Sequence, residues 1–176
     1  MSLVNSEGGA AIQVNNRQRV AVVGVGNVLL KDEGIGVHVA RALREAVGTD
    51  RADIDIIDGG TSPDVFLLVE EVDKLILIDA VKGGGNPGSI YRFHPDDIIS
   101  EGKYPTSVHQ IGLLDSLHII EYSRSKPGSI VIIGIEPKEI DWGLELSTEL
   151  SERLPQIVKV VMDEIDLSIK QKKGKR

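Results

Sequence analysis

The chain has 176 residues, with 20 Lys and Arg against 27 Asp and Glu, aromatics at 3% and no cysteine. That length suits one core able to remove roughly 70% of its unfolded surface from water, and the missing thiol excludes Cys nucleophiles, Cys-based zinc sites, iron–sulfur ligation and disulfides. Net charge is −7 although five of the bases, Lys170, Lys172, Lys173, Lys175 and Arg176, crowd the last seven residues, so the body lacks the basic surface and stacking platforms that nucleic acid requires.

No apolar run approaches the ~20 residues of a bilayer crossing, and the first twenty residues hold no apolar signal-peptide core. The expectation is a cytoplasmic protein with no membrane span and no nucleic-acid partner. Residues 1–17, with five Gly and Asn and no sustained period, read as a disordered leader, residues 18–169 as one α/β domain, and 170–176 as a solvated basic tail.

The domain opens on Arg19-Val-Ala-Val-Val-Gly24, a β-branched run stopped by glycine, as in a strand buried on both faces. Ile35, Val39, Ala42 or Leu43, and Ala46 or Val47 recur at helical spacing up to Gly48. Asp53-Ile-Asp-Ile-Ile-Asp58 is a second strand, and Ser62-Pro63 supplies the cap and first-turn proline of a helix carrying Val65, Leu68 and Val69. Lys74-Leu-Ile-Leu-Ile-Asp79 is the most apolar strand, and two strand–helix crossovers ahead of it make the first three strands parallel. The next link, rich in glycine between Asp79 and Ser89, is too short for a crossover helix, so the strand over 89–93 runs antiparallel to its predecessor. A polar loop reaches Ser107, and a helix is expected near 110–122 with Leu113, Leu117 and Ile120 on one side. Ser129–Ile135 is the fifth strand, and a last helix carries Leu154, Val158, Val161 and Ile165, with Pro155 near its start. The fold predicted is a three-layer α/β/α sandwich on a mixed, mostly parallel five-stranded sheet with one antiparallel strand.

In such sheets ligands bind beyond the carboxyl ends of the parallel strands. The exits there carry Asp32 and Glu33, Asp58, and Asp79, whose mutual repulsion needs a cation, a proton or a ligand to relieve it. Gly24-x-Gly26 resembles the start of a dinucleotide fingerprint, but Leu29 replaces the third glycine and Asp32 and Glu33 would repel a pyrophosphate from the helix entrance. Among four histidines, His38, His94 and His118 suit structural positions, while His109 lies in the loop entering a helix. A Glu, an Asp and a His on converging loops form the mixed O/N donor set that zinc or nickel accepts with positions left open.

From Arg19 to about Leu154 the chain resembles the endopeptidases that complete maturation of [NiFe] hydrogenases. The likeness rests on Gly24-x-Gly-Asn-x-Leu-x-x-Asp-Glu-Gly-x-Gly36, Asp58-Gly-Gly-Thr61, Ile78-Asp79-Ala80, Pro87-Gly88, Ser107-x-His109, Glu136-Pro137, Trp142-Gly143 and Leu146-Ser147. The resemblance implies metal ligation by Glu33, Asp79 and His109, and removal of a C-terminal extension from the hydrogenase large-subunit precursor after nickel insertion. The nickel then comes with the substrate and serves as the recognition signal, with zinc or cadmium able to occupy the same donors. Asp32 or Asp58 is left to activate water, and Asp58 equally suits a turn or cap. Two other readings are a nickel carrier without peptidase activity, which releases no peptide, and a general metallopeptidase, which cleaves unrelated peptides.

Overall fold

The computed structural model describes residues 18–48, 51–62, 69, 72–97, 106–107 and 126–173. The expected leader, the helix from Pro63, the helix over 110–122 and His109 itself lie outside the described residues. Strands β1 (Val20–Val25), β2 (Ile54–Gly60), β3 (Lys74–Lys82), β4 (Ile90–Phe93) and β6 (Ser129–Ile135) form the main sheet, in the order β2-β1-β3-β6-β4. β1 pairs in parallel with β2 and β3, and β3 with β6, while β4 is antiparallel to β6. The chain thus has the α/β fold with a five-stranded mixed sheet and one antiparallel pair.

The direction of β4 follows from its short link. Its neighbour does not: β4 lies at the edge against β6, with Ile90 opposite Ile135, and is not paired with β3. Gly88 and Ser89 settle this, because Gly88 N–H donates to Glu136 O and Glu136 N–H to Ser89 O, locking the start of β4 to the end of β6. A second departure is β5 (Thr106–Ser107), a two-residue strand at the end of the predicted polar loop. It runs antiparallel to the end of β3, Lys82 opposite Thr106 and Val81 opposite Ser107.

One sheet face is covered by α1 (Ile35–Val47) and α2 (Thr148–Lys173). Alternate residues of β1 and β3, such as Val20, Val22, Ile76 and Ile78, pack there against Ile35, Val39, Leu43, Ile157 and Val161. The other face buries Ala21, Val23, Leu75, Leu77 and Val81, with Val69 and Val72 among its cover. α2 starts seven residues before Pro155, which therefore lies inside the helix and not near its start. Ser147 sets that beginning: its N–H donates 2.7 Å to Asp32 Oδ1, and its Oγ accepts Leu150 N–H at 3.4 Å. An interior proline costs a helix about 3 kcal/mol, which the burial of Leu150, Ile157, Val161 and Ile165 offsets. α2 continues through Lys173 and so includes the first residues of the basic tail.

Candidate active site

From β1 the chain crosses to β2 on one side and then to β3 on the other. Strand order reverses there, so the loops leaving β1 and β3 diverge and open a crevice at their carboxyl ends. Glu33 follows β1 and Asp79 sits near the end of β3, so this topology brings both carboxylates to that crevice. Each is nearly inaccessible to solvent, at 2% and 1% exposure.

Glycine makes this proximity possible. A 3-10 turn (Lys31–Gly34) carries Glu33 directly into α1. A Cβ on Gly36 would lie 2.2 Å from Ile78 O and 2.3 Å from Val25 O, so only glycine lets the helix entrance sit on β1 and β3 at once. Gly26 has φ +142, and a Cβ there would meet Glu33 O at 2.0 Å. The glycine block therefore serves a close backbone approach that presents Glu33.

Asp32, beside Glu33, is fully buried and spends its carboxylate on three backbone N–H groups: Lys138 at 2.9 Å and Glu139 at 3.0 Å to Oδ2, and Ser147 to Oδ1. It fastens the 137–147 loop to the turn, which removes it as a base for activating water. Glu136, at the exit of β6, does similar work on the glycine-rich link. Its Oε2 accepts Gly83 N–H at 2.6 Å, Gly85 N–H at 3.2 Å and the Tyr91 hydroxyl at 2.7 Å. Sequence reasoning missed both anchors, since a strand-end carboxylate that binds a distant loop looks the same in sequence as one that binds a ligand.

Asp58 is part-exposed on the α1 side of the sheet. Arg41 donates to its Oδ2 at 3.0 Å through Nε and 2.9 Å through the neighbouring nitrogen, and Gly60 N–H reaches Oδ1 at 3.2 Å. It thus combines an ion pair with the turn contact anticipated for it. By the alternation of β3, Asp79 belongs to the opposite face, in phase with Leu75, Leu77 and Val81. Its Oδ1 accepts the Ala80 N–H at 2.8 Å. His38, one helical turn before Arg41, is half-buried, and its Nε2 has no hydrogen-bond partner among the described residues. Burial lowers its pKa, Arg41 lowers it further, and Asp32 and Asp58 oppose the shift.

Of the three residues expected to share a metal, Glu33 and Asp79 are brought to one crevice and His109 falls outside the described residues. Among the described residues no group of three metal-binding side chains is present.

Residues 37–164 match the model of the hydrogenase maturation protease family. The chain is 30% identical over 148 residues to a hydrogenase expression/formation protein, HupD, of Rhizobium leguminosarum, covering 82% of this chain and 72% of that one. It is 32% identical over 158 residues to the coenzyme F420 hydrogenase subunit delta of Methanothermobacter thermautotrophicus, covering 85% and 96%. The structure superposes on the hydrogenase maturating endopeptidase HybD from E. coli with a TM-score of 0.73 at 26% identity, covering 86% and 94%. With its α/β sheet, its glycine-built turn and two buried carboxylates at the switch crevice, the chain belongs to the hydrogenase maturation protease family.

Proposed function

We propose that this protease removes the C-terminal extension of a [NiFe]-hydrogenase large-subunit precursor in the cytoplasm once nickel has been inserted, and that it recognises the nickel through Glu33, Asp79 and His109. The observation that carries this reading is the burial of Glu33 and Asp79 together at the switch crevice, where two carboxylates have little water to solvate their charge and gain from a cation. β5 supports the third donor. It runs from the level of Lys82 toward Val81, the direction of Asp79, and His109 follows it by two residues in sequence.

In this reading the nickel belongs to the substrate, and the two carboxylates and the imidazole complete its coordination. Binding then fixes the scissile peptide beside the metal and makes cleavage conditional on it. With Asp32 committed to the loop, Asp58 is the carboxylate assigned to water. It lies across β1 from β3 at the same sheet edge, level with Gly24 and Ile78, so in this reading the peptide reaches it over the carboxyl end of β1. Asp58 takes a proton from water as the oxygen attacks the carbonyl carbon, and the proton passes to the departing amine as the C–N bond breaks.

The test is a cleavage assay on nickel-loaded and metal-free precursor, followed by the size shift of the large subunit. Wild type should process only the loaded form, and His109→Ala should lose that activity while unfolding within ~0.5 kcal/mol of wild type. Equal processing of metal-free precursor would overturn nickel recognition, and full activity in His109→Ala would remove that residue.

A further inference from the structure

Beside the crevice lies an apolar ledge. Trp142 is 77% exposed, Leu144 66% and Leu29 49%, and these account for three of the four large exposed apolar side chains among the described residues. They are held stiffly. Leu30 and Gly143 form a parallel bridge, with Gly143 N–H donating to Leu29 O and Lys31 N–H to Gly143 O, both at 3.0 Å. That register sets Leu29 beside Trp142, the residues preceding each bridge partner, and the three N–H groups on Asp32 tether the rest of the loop. Exposed indole and leucine on a rigid loop keep apolar surface in water with no packing in return, the mark of a surface built to be covered. Because the ledge is already ordered, covering it costs little conformational entropy.

We propose that Leu29, Trp142 and Leu144 dock an apolar segment of the protein substrate that carries Lys or Arg beside its apolar residues, at a place separate from the scissile bond. The charge of the ledge argues for this occupant. Asp141 and Glu145, which bracket Trp142 and Leu144 in sequence, are exposed and enter no ion pair among the described residues, whereas the nearby Glu139 is paired with Lys31. An apolar patch edged by uncompensated carboxylates favours a partner with cations at matching positions and disfavours a second copy of this acidic chain. Position argues the same way, since the ledge runs from Leu29 directly into the turn bearing Glu33. A protein engaged there presents its metal to the crevice.

The inference rests on the proposed cleavage of the precursor, and the experiment separates the two. Trp142 is the sole tryptophan, so 5-fluorotryptophan labelling places a single fluorine on the ledge. Its resonance should shift or broaden when unlabelled nickel-loaded precursor is added. In kinetics on the same precursor, Trp142→Ala should raise KM about ten-fold or more with kcat within two-fold, and Asp141→Lys with Glu145→Lys should raise KM and flatten its salt dependence. All these positions are exposed, and thermal unfolding of each variant establishes that it folds. If wild type cleaves but the variants keep its KM, the ledge is not the docking site. A fluorine signal that moves with the chain's own concentration, together with dimers in sedimentation, also overturns the proposal and assigns the ledge to a self-interface. Failure of wild type to cleave loaded precursor overturns the functional reading itself, and the docking proposal with it.

Discussion

The two ends of the sheet treat buried carboxylates in opposite ways. At the amino end, Glu164 of α2 meets two cations: Lys74 at the start of β3, and Arg92 of β4, whose Nε lies 2.8 Å from Oε2 and whose other nitrogen lies 3.0 Å from Oε1. This pairing pulls the Glu164 pKa down to about 2, with the Arg92 hydrogen bond as its largest cause, and it ties α2 to the central strand β3 and the edge strand β4. At the carboxyl end Asp32, Glu33, Asp79 and Glu136 are all buried, and Asp32 and Glu136 are satisfied by backbone N–H groups and one phenol. Dipoles hold loops without adding positive charge, so these anchors stiffen the rim and leave it anionic. Neutralised charge makes a support, while charge held only by dipoles keeps its attraction for a cation.

The largest expected effect is on activity. Asp79→Asn and Glu33→Gln should each reduce cleavage of nickel-loaded precursor about a hundred-fold or more, the scale on which losing one oriented group is felt at a reacting centre. Thermal unfolding should move little or rise, since each change removes one buried charge. A collapse of stability in either variant would make the rim a support like the amino end and break the contrast.

Glu164→Gln should do the reverse, costing about 3 kcal/mol because Lys74 is left buried without its counter-charge, with catalysis per folded molecule unchanged. The pH dependence follows from the depressed pKa: the folded chain holds fewer protons than the unfolded one between the two values. Stability from this carboxylate is therefore fully present above about pH 4.5 and is lost as pH falls toward about 2. Denaturation at several pH values should show this acid limb in wild type and a flatter one in the glutamine variant.

The same contrast marks what was readable in the sequence. β-branched runs end in polar residues where strands leave the core, so Glu33, Asp58 and Asp79 fall at one edge by simple pattern. The nine-residue length of the Asp79 to Ser89 link sets the direction of β4. Its neighbour depends on hydrogen bonds from Gly88 N–H to Glu136 and from Glu136 N–H to Ser89, nearly fifty residues apart, which no local pattern encodes. Asp32 is misread for the same reason: its partners lie more than a hundred residues further on, and nothing adjacent to it tells an anchor from a base. Pro155 reads locally as a helix start, yet the true start is fixed by Ser147 and that distant Asp32. Rim and core are local in sequence, and the loop anchors are long-range.

Anchoring by Asp32 predicts a middle-sized effect. Asp32→Asn keeps the shape but presents an amide nitrogen where one oxygen accepted, leaving at least one buried N–H unmet at a cost of about 2 kcal/mol. Hydrogen exchange at Lys138, Glu139 and Ser147 should quicken together. If protection is lost only at the end facing the new nitrogen, the loop is held at two independent points and not by one clamp.

The smallest effect concerns the other anchor. The Tyr91 hydroxyl donates to Glu136 and accepts the Gly85 N–H at 3.0 Å, so it joins a strand, a glycine-rich link and a rim carboxylate through one oxygen. Burial and the bond to Glu136 raise its pKa, which keeps the phenol a donor across the physiological range. Tyr91→Phe preserves the ring, which packs against Gly83, and deletes only that oxygen. Glu136 retains the Gly83 and Gly85 N–H groups, so the loss should be about 1 kcal/mol, the net worth of an ordinary hydrogen bond. Denaturant titration measures it, and exchange at Gly85 should quicken more than at Gly83, whose bond to Glu136 is the shorter. A loss several times larger would show that Glu136 depends on the phenol to stay buried, and its support would then come from a side chain, closer to the amino end than to Asp32.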